Sequence, residues 1–168
     1  MDHSGPDNDA IAERQCQEAD TGPHTLHMEG WISCAPYERL LNMQIVSAAH
    51  GAAVLTMPFL VQYAQGAALM HGGALMSLAD TALVMAIKSR LAPYTHFVTV
   101  HAEVDYLRPV TQGVVTAKAK VTSVVERKIS GESAVFDAAG EKVLAFAATF
   151  VIPRNDRIDS VTFADSAE

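Results

Sequence analysis

The sequence predicts an α+β domain in which an antiparallel sheet curls around one long, buried helix. Three observations predict it. Between His71 and Lys88 the only charged residue is Asp80, and after Gly73 no Gly or Pro occurs through Leu91. Such a stretch reads as a helix apolar nearly all round, hence buried on most sides. From Val98 the period changes: Val98, Val100, Ala102, Val104 and Tyr106 alternate with Thr99, His101, Glu103 and Asp105, the pattern of a half-buried strand. The apolar runs that follow are short and separated by turn residues, which suits neighbours joined as an antiparallel meander.

The elements follow in order. Residues 1–35 read as a flexible, acidic extension, punctuated by Gly5, Pro6, Gly22 and Pro23, with one short helix near residues 10–19. The ordered domain is expected over residues 36–153, and residues 154–168 form a polar tail. Within the domain a short helix is expected at residues 37–41, then a strand at Gln44–Ala49, a turn at Gly51 and an extended piece at 53–57. A loop over residues 58–70 leads into the long helix, and Arg108-Pro109 ends the strand that follows it. Gly113 then introduces Val114–Val125, with Thr116, Lys118, Lys120 and Thr122 on one face and Ala117, Ala119 and Val121 on the other. Two short strands, near residues 133–137 and 142–152, flank the Ala139-Gly140 turn. One sheet of this size cannot cover a lone helix on every side, so helix surface and sheet edge should meet a partner subunit.

Composition narrows the function. The 168 residues suit one domain. The net charge of −7 is concentrated at the start, where the first 30 residues hold seven acidic side chains and only Arg14, so the remainder carries −1. With no basic face, basic run or stacking motif, nucleic acid is not an expected partner. No apolar run approaches the roughly 18 residues of a membrane span, and the N-terminus lacks the basic start and apolar core of a secretory leader. Cys16 and Cys34 stand outside any paired metal or redox motif and read as free thiols, which fits a reducing cytoplasm.

The chemistry concentrates in HGGALMSLAD, residues 71–80. Gly72 and Gly73 open the helix, where N–H groups lack intrahelical partners and the dipole is positive. They permit either a tight loop-to-helix turn or the close approach of a ligand oxygen, an oxyanion site. Asp80 lies two turns into the apolar helix, where an unpaired carboxylate is costly. It is either hydrogen-bonded there or a nucleophile or general base tuned by its surroundings. His71 is best read as orienting the loop. No carboxylate or second His stands at metal-ligand spacing from it, and His96 and His101 do not share a strand face, so no metal is expected.

Taken together, His71-Gly72-Gly73-Ala74-Leu75, Leu78-Ala79-Asp80, Val98-Thr99-Val100, Tyr106-Leu107-Arg108-Pro109 and Gly113 resemble the hotdog-fold acyl-CoA thioesterases, in their PaaI-like, phenylacetate-pathway branch. The resemblance covers roughly residues 36–152. It implies that Gly72 donates its N–H to the thioester carbonyl and that Asp80 attacks it or activates water. It also implies that Gln65 belongs to the site and that Thr99 assists. Ala68 stands where many relatives have Gly, which implies a differently shaped loop near the acyl pocket. Gly73 and the cations Arg90, Arg108, Lys118, Lys120, Arg127 and Lys128 are candidates for holding the substrate, the cations through its CoA phosphates. No cofactor is implied.

Gly72 and Asp80 are about 12 Å apart on one helix at ~1.5 Å rise per residue. One helix cannot hold both against the same carbonyl. The resemblance implies two antiparallel helices across a two-fold axis, so that a homodimer, or a homotetramer built from it, carries two shared sites. Two rivals remain at this level: a non-catalytic acyl-CoA-binding module, and a hotdog hydratase or dehydratase, which would be expected to show an Asp-His pair on the active-site loop and helix start.

Overall fold

A computed structural model describes residues 21–154 and 160–164. The elements in chain order are β1 (Leu26–Met28), α1 (Pro36–Leu40), β2 (Gln44–Ala49), β3 (Ala52–Pro58), a 3-10 turn (Val61–Tyr63) and α2 (Gly72–Lys88). There follow β4 (Val98–Tyr106), β5 (Val114–Val125), β6 (Lys128–Phe136), β7 (Lys142–Val151) and β8 (Val161–Phe163). Strands β2 to β7 form one antiparallel sheet in the order β2-β3-β5-β6-β7-β4. Among the described residues no helix is long and apolar enough to cross a membrane.

Helix α2 lies across the inner face of this sheet, and the sequence explains how closely. Leu75, Leu78, Leu83, Met85 and Ile87 supply bulk, while Ala74, Ala79, Ala82 and Ala86 let the strands approach the helix backbone. They meet Leu55, Met57, Val115, Ala117, Val135, Leu144 and Phe150 from the strands. The contact is tightest at Gly131 in β6. A Cβ there would collide with the Leu83 side chain and stand 2.8 Å from the Lys120 carbonyl oxygen. Gly131→Ala is therefore expected to destabilise the fold by about 1–3 kcal/mol, the range for overpacking a filled core, read as a lower denaturant midpoint at unchanged slope.

Two expectations are corrected here. The alternation in β4 predicted a half-buried strand, yet eight of its nine residues are exposed, Val100 at 57%. The cause is position. The helix crossover carries β4 to the far edge of the sheet, where it pairs only with β7, in register from Val98↔Val151 to Tyr106↔Leu144. Its second edge, and the apolar side chains of Val98, Val100 and Tyr106, stay open. The packed structure also reaches beyond residues 36–153 on both sides. Segments that read as extension and tail form β1 and β8, which pair in parallel with Met28 opposite Phe163. Met28 and Trp31 are buried, and Trp31 packs edge-on against Tyr94 and Phe163. The Trp31 indole N–H donates to the Lys88 carbonyl at 3.1 Å, tying this segment to the end of α2. The expected helix at 10–19 and Cys16 lie outside the described residues.

Candidate active site

The loop before α2 is shaped by its own backbone. Gln65 N–H donates to the Leu69 carbonyl, Ala68 N–H to the Gln65 carbonyl, and His71 N–H to the Tyr63 carbonyl at 2.7 Å. Ala68 adopts φ 60°, the left-handed conformation that favours glycine. The loop thus keeps a glycine-like turn at this position despite the side chain, at a steric cost of roughly 1–2 kcal/mol. The Gln65 Oε1 accepts from the Ala67 N–H at 2.7 Å, which leaves the amide nitrogen of Gln65 as its free donor.

At the helix start the polar groups divide the work. His71 is the N-cap: its Nδ1 accepts from the Gly73 N–H at 2.9 Å. The ring therefore carries its proton on Nε2 when neutral. Gly73 is consumed by this cap, and no acceptor meets the Gly72 N–H among the described residues. A Cβ on Gly72 would come within 2.9 Å of the Tyr106 ring, whose hydroxyl donates to the Gly72 carbonyl at 3.3 Å. Gln65, Gly72, Leu75, Tyr106 and Arg108 line a cleft of about 320 Å³. The Gly72 N–H, the Gln65 amide nitrogen, the Tyr106 hydroxyl and the Arg108 guanidinium give this cleft a set of hydrogen-bond donors. Arg108 is held at its rim by the Lys142 carbonyl at 3.0 Å and by Glu141 at 3.6 Å.

Asp80 is elsewhere. It lies on the sheet-distal stripe of α2 with Ser77, Val84 and Lys88, all half-buried. Its Oδ1 is fully buried and has no hydrogen-bond partner. Burial foremost, and then the negative charge of Glu38, push the Asp80 carboxyl above its ordinary range. Glu38 comes from α1, which is docked on the stripe by a Tyr37–Ser77 hydroxyl contact of 2.8 Å. The Glu38 Oε2 is likewise buried without a partner. Burial pulls the Lys88 ammonium down against the opposing pull of Glu38 and Cys34, and it lies 4.8 Å from the Trp31 ring centroid. Burial and then Glu38 raise the Cys34 thiol.

The expected site residues therefore fall into groups. Gln65, Gly72 and Arg108 share one cleft, with Gly73 and His71 shaping its mouth. Thr99 lies with Val84 and Lys88 along a second cavity. Asp80 sits on the same continuous helix as Gly72, eight residues on, and one chain does not bring them together. Arg90 follows the far end of α2. Lys118 and Lys120, expected among the phosphate-holding cations, are on the outer face of the sheet, because Ala117 and Ala119, with which they alternate, point inward. There Lys120 pairs with Glu132 at 2.7 Å, and Lys118 lies over Phe136. A depression of about 470 Å³ on this face is lined by Lys118, Lys120, Glu103, Asp105 and Glu132 and by neither Gly72 nor Asp80. Two residues went unassigned by sequence reasoning. Tyr106 was legible as the end of a strand and as part of the motif that carries the resemblance, with no role at the site. Glu38, in PYERL, carries no signal beyond an ordinary acidic first turn.

Residues 68–144 match the family model of the thioesterase superfamily. No curated protein matched the sequence. Among solved structures, a conserved protein of Pseudomonas aeruginosa is similar at 28% identity over 71% of this chain and 95% of its own, with a TM-score of 0.69. The PaaI protein of the phenylacetic acid degradation operon of Escherichia coli is similar at 27% identity over 76% of this chain and 88% of its own, with a TM-score of 0.67. A mutant of the phenylacetic acid degradation protein PaaI of Thermus thermophilus has 26% identity over 71% of this chain and 100% of its own, with a TM-score of 0.65. With a six-stranded antiparallel sheet wrapped on one long helix, and a capped Gly-Gly helix start followed by a half-buried Asp, the domain has the hotdog fold and is similar to PaaI proteins and to the thioesterase superfamily.

Proposed function

We propose that the protein hydrolyses an acyl- or aryl-CoA thioester to the free acid and CoA, in a homodimer whose two sites are each shared between subunits. One observation carries this reading: the buried, unpartnered carboxylate of Asp80 and the unpaired N–H of Gly72 are complementary halves of a hydrolytic site on the same helix, about 12 Å apart. A second copy completes the site if β4 of one subunit pairs with β4 of the other. The open edge and exposed apolar side chains of β4 support that pairing. The two α2 helices then run antiparallel, and Asp80 of one subunit faces Gly72 and Gln65 of the other.

In such a site the Gly72 N–H and the helix dipole stabilise the oxygen of the thioester carbonyl as negative charge develops on it. Gln65 orients the thioester or water through its free amide N–H. Desolvation makes Asp80 a stronger base than an exposed carboxylate, suited to taking the proton of an attacking water. The water oxygen bonds to the carbonyl carbon, the carbon–sulfur bond breaks, and the CoA thiolate leaves and recovers a proton. Direct attack by Asp80 uses the same geometry, with water then cleaving the anhydride. Thr99 supports Asp80 or that water from β4, and Arg108 at the rim is the cation placed to meet a CoA phosphate. The free thiol of Cys34 supports a reducing, cytoplasmic setting.

The test is release of free thiol from acetyl-, hexanoyl-, palmitoyl- and phenylacetyl-CoA. Turnover of at least one, abolished in Asp80→Asn, is expected. Binding of all four without thiol release would instead mark a non-catalytic acyl-CoA module.

A further inference from the structure

Asp80, Val84 and Lys88 follow one another at single-turn spacing along the half-buried, sheet-distal stripe of α2, and the stripe leads into a cavity of about 240 Å³. Val84 and Lys88 line it from the helix and Thr99 from β4. Its remaining walls are Thr95, His96 and Phe97 before β4, Phe150 from β7, Trp31 and Ala35 from the segment before α1, and Leu26, Met28, Val161 and Phe163 from β1 and β8. The lining is mostly apolar, with Lys88, Thr95, His96 and Thr99 as its polar members. Leu26, Met28, Trp31, Val161 and Phe163 also lie outside the residues that match the family model. The parallel pairing of β1 with β8 and the Trp31–Phe163–Tyr94 ring cluster hold these walls in place.

Building on the thioesterase reading, we infer that this cavity takes the apolar acyl portion of the substrate, an aryl ring or a chain of about six to eight carbons, while its carbonyl stays beside Asp80 and Thr99. Position and size carry the inference. A chain leaving a carbonyl at Asp80 and following the helix stripe reaches Val84 after one turn. A cavity of about 150 Å³ lined by aliphatic and aromatic side chains suffices for a benzene ring, so 240 Å³ takes a ring with a short linker or an equivalent aliphatic chain. The two terminal strands then set the chain-length limit, a role separate from the chemistry.

Trp31 is the only tryptophan of the chain and lines the cavity, so the emission of the intact protein reports its occupancy. Titration with the unreactive thioethers S-hexyl-CoA and S-phenethyl-CoA should change that emission saturably, whereas S-methyl-CoA and free CoA should not. Val84→Phe, which fills the cavity, should abolish the response and lower the ratio of kcat/KM for hexanoyl-CoA over acetyl-CoA by at least about tenfold. Val84→Ala, which enlarges it and spares the fold if the bulkier variant does not, should shift the preferred acyl group upward in length. An unchanged Trp31 emission with S-hexyl-CoA, in a protein that hydrolyses hexanoyl-CoA, would overturn the assignment and mean that the chain lies elsewhere or that a second copy fills the cavity. Equal losses on acetyl- and hexanoyl-CoA in Val84→Phe, with no length shift in Val84→Ala, would overturn it as well. Failure of the thioesterase reading looks different: no thiol is released from any acyl-CoA, whatever Trp31 reports.

Discussion

Asp80→Asn is expected to lower acyl-CoA turnover by about 10²–10⁴-fold, the usual loss when a general base is removed, and at the same time to raise the melting temperature at neutral pH. Both effects have the same cause. Burial and Glu38 hold the Asp80 carboxyl above its ordinary value of 3.8, so the folded chain binds this proton more tightly than the unfolded one. The stability this confers is fully present below the unfolded value and is lost as pH rises through the folded one. Once ionised, Asp80 is a desolvated charge without a hydrogen bond to Oδ1, and Asn keeps the shape without that charge. The difference in melting temperature between Asn and Asp should be largest near neutrality and shrink towards pH 3. Catalysis shifts in step: the acid limb of kcat/KM should lie above the ordinary carboxylate range. Glu38→Gln should move it down only part of the way, because desolvation is the larger cause. An acid limb unmoved by Glu38→Gln would remove Glu38 from the account of Asp80.

Gly72→Ala should cost about 10²–10³-fold in turnover, as expected when one oxyanion donor is blocked. The backbone N–H survives this change, so the loss must come from the new methyl group. That methyl stands within 2.9 Å of the Tyr106 ring, and in the proposed site it also crowds the approach of the thioester oxygen. The two explanations separate in the double variant Gly72→Ala/Tyr106→Ala, which frees the space behind the methyl but not in front of the N–H. Turnover should remain low in the double variant relative to Tyr106→Ala alone. Recovery to that level would mean that Gly72→Ala acts by displacing Tyr106, and that the oxyanion is held elsewhere.

Much of this was legible in the sequence because the signals were local. The apolar run with one charge specified α2, and Gly72-Gly73 marked its start, but the His71 cap that takes up the Gly73 N–H was not read from the sequence. The alternation of Ala117 and Ala119 with Lys118 and Lys120 gave the faces of β5 correctly. The same logic misjudged β4, since alternation reports what a strand is built to bury and not whether one chain alone covers it. Exposed valines on a sheet edge are the signature of a missing neighbour. The parts that could not be read depend on tertiary contact. Three-residue strands such as β1 and β8 have no periodicity to detect, and their pairing spans 135 residues. Glu38 acts on Asp80 only because Tyr37 docks α1 on Ser77, a contact with no trace in either segment. Lys118 and Lys120 show the converse: cations are easily counted in a sequence, but only the fold tells which face of the sheet they occupy.

The central claim is that Asp80 and Gly72 act together across a subunit boundary. It is tested most directly by co-expressing two differently tagged inactive chains, one carrying Asp80→Asn and the other Gln65→Ala with Gly72→Ala, and isolating the heterodimer. A shared site predicts that each variant homodimer is nearly inactive. It also predicts that the heterodimer regains about half of wild-type activity, because one of its two sites joins native Asp80 to native Gly72 and Gln65 while the other collects every defect. A well-folded heterodimer as inactive as its parents would contradict the shared site.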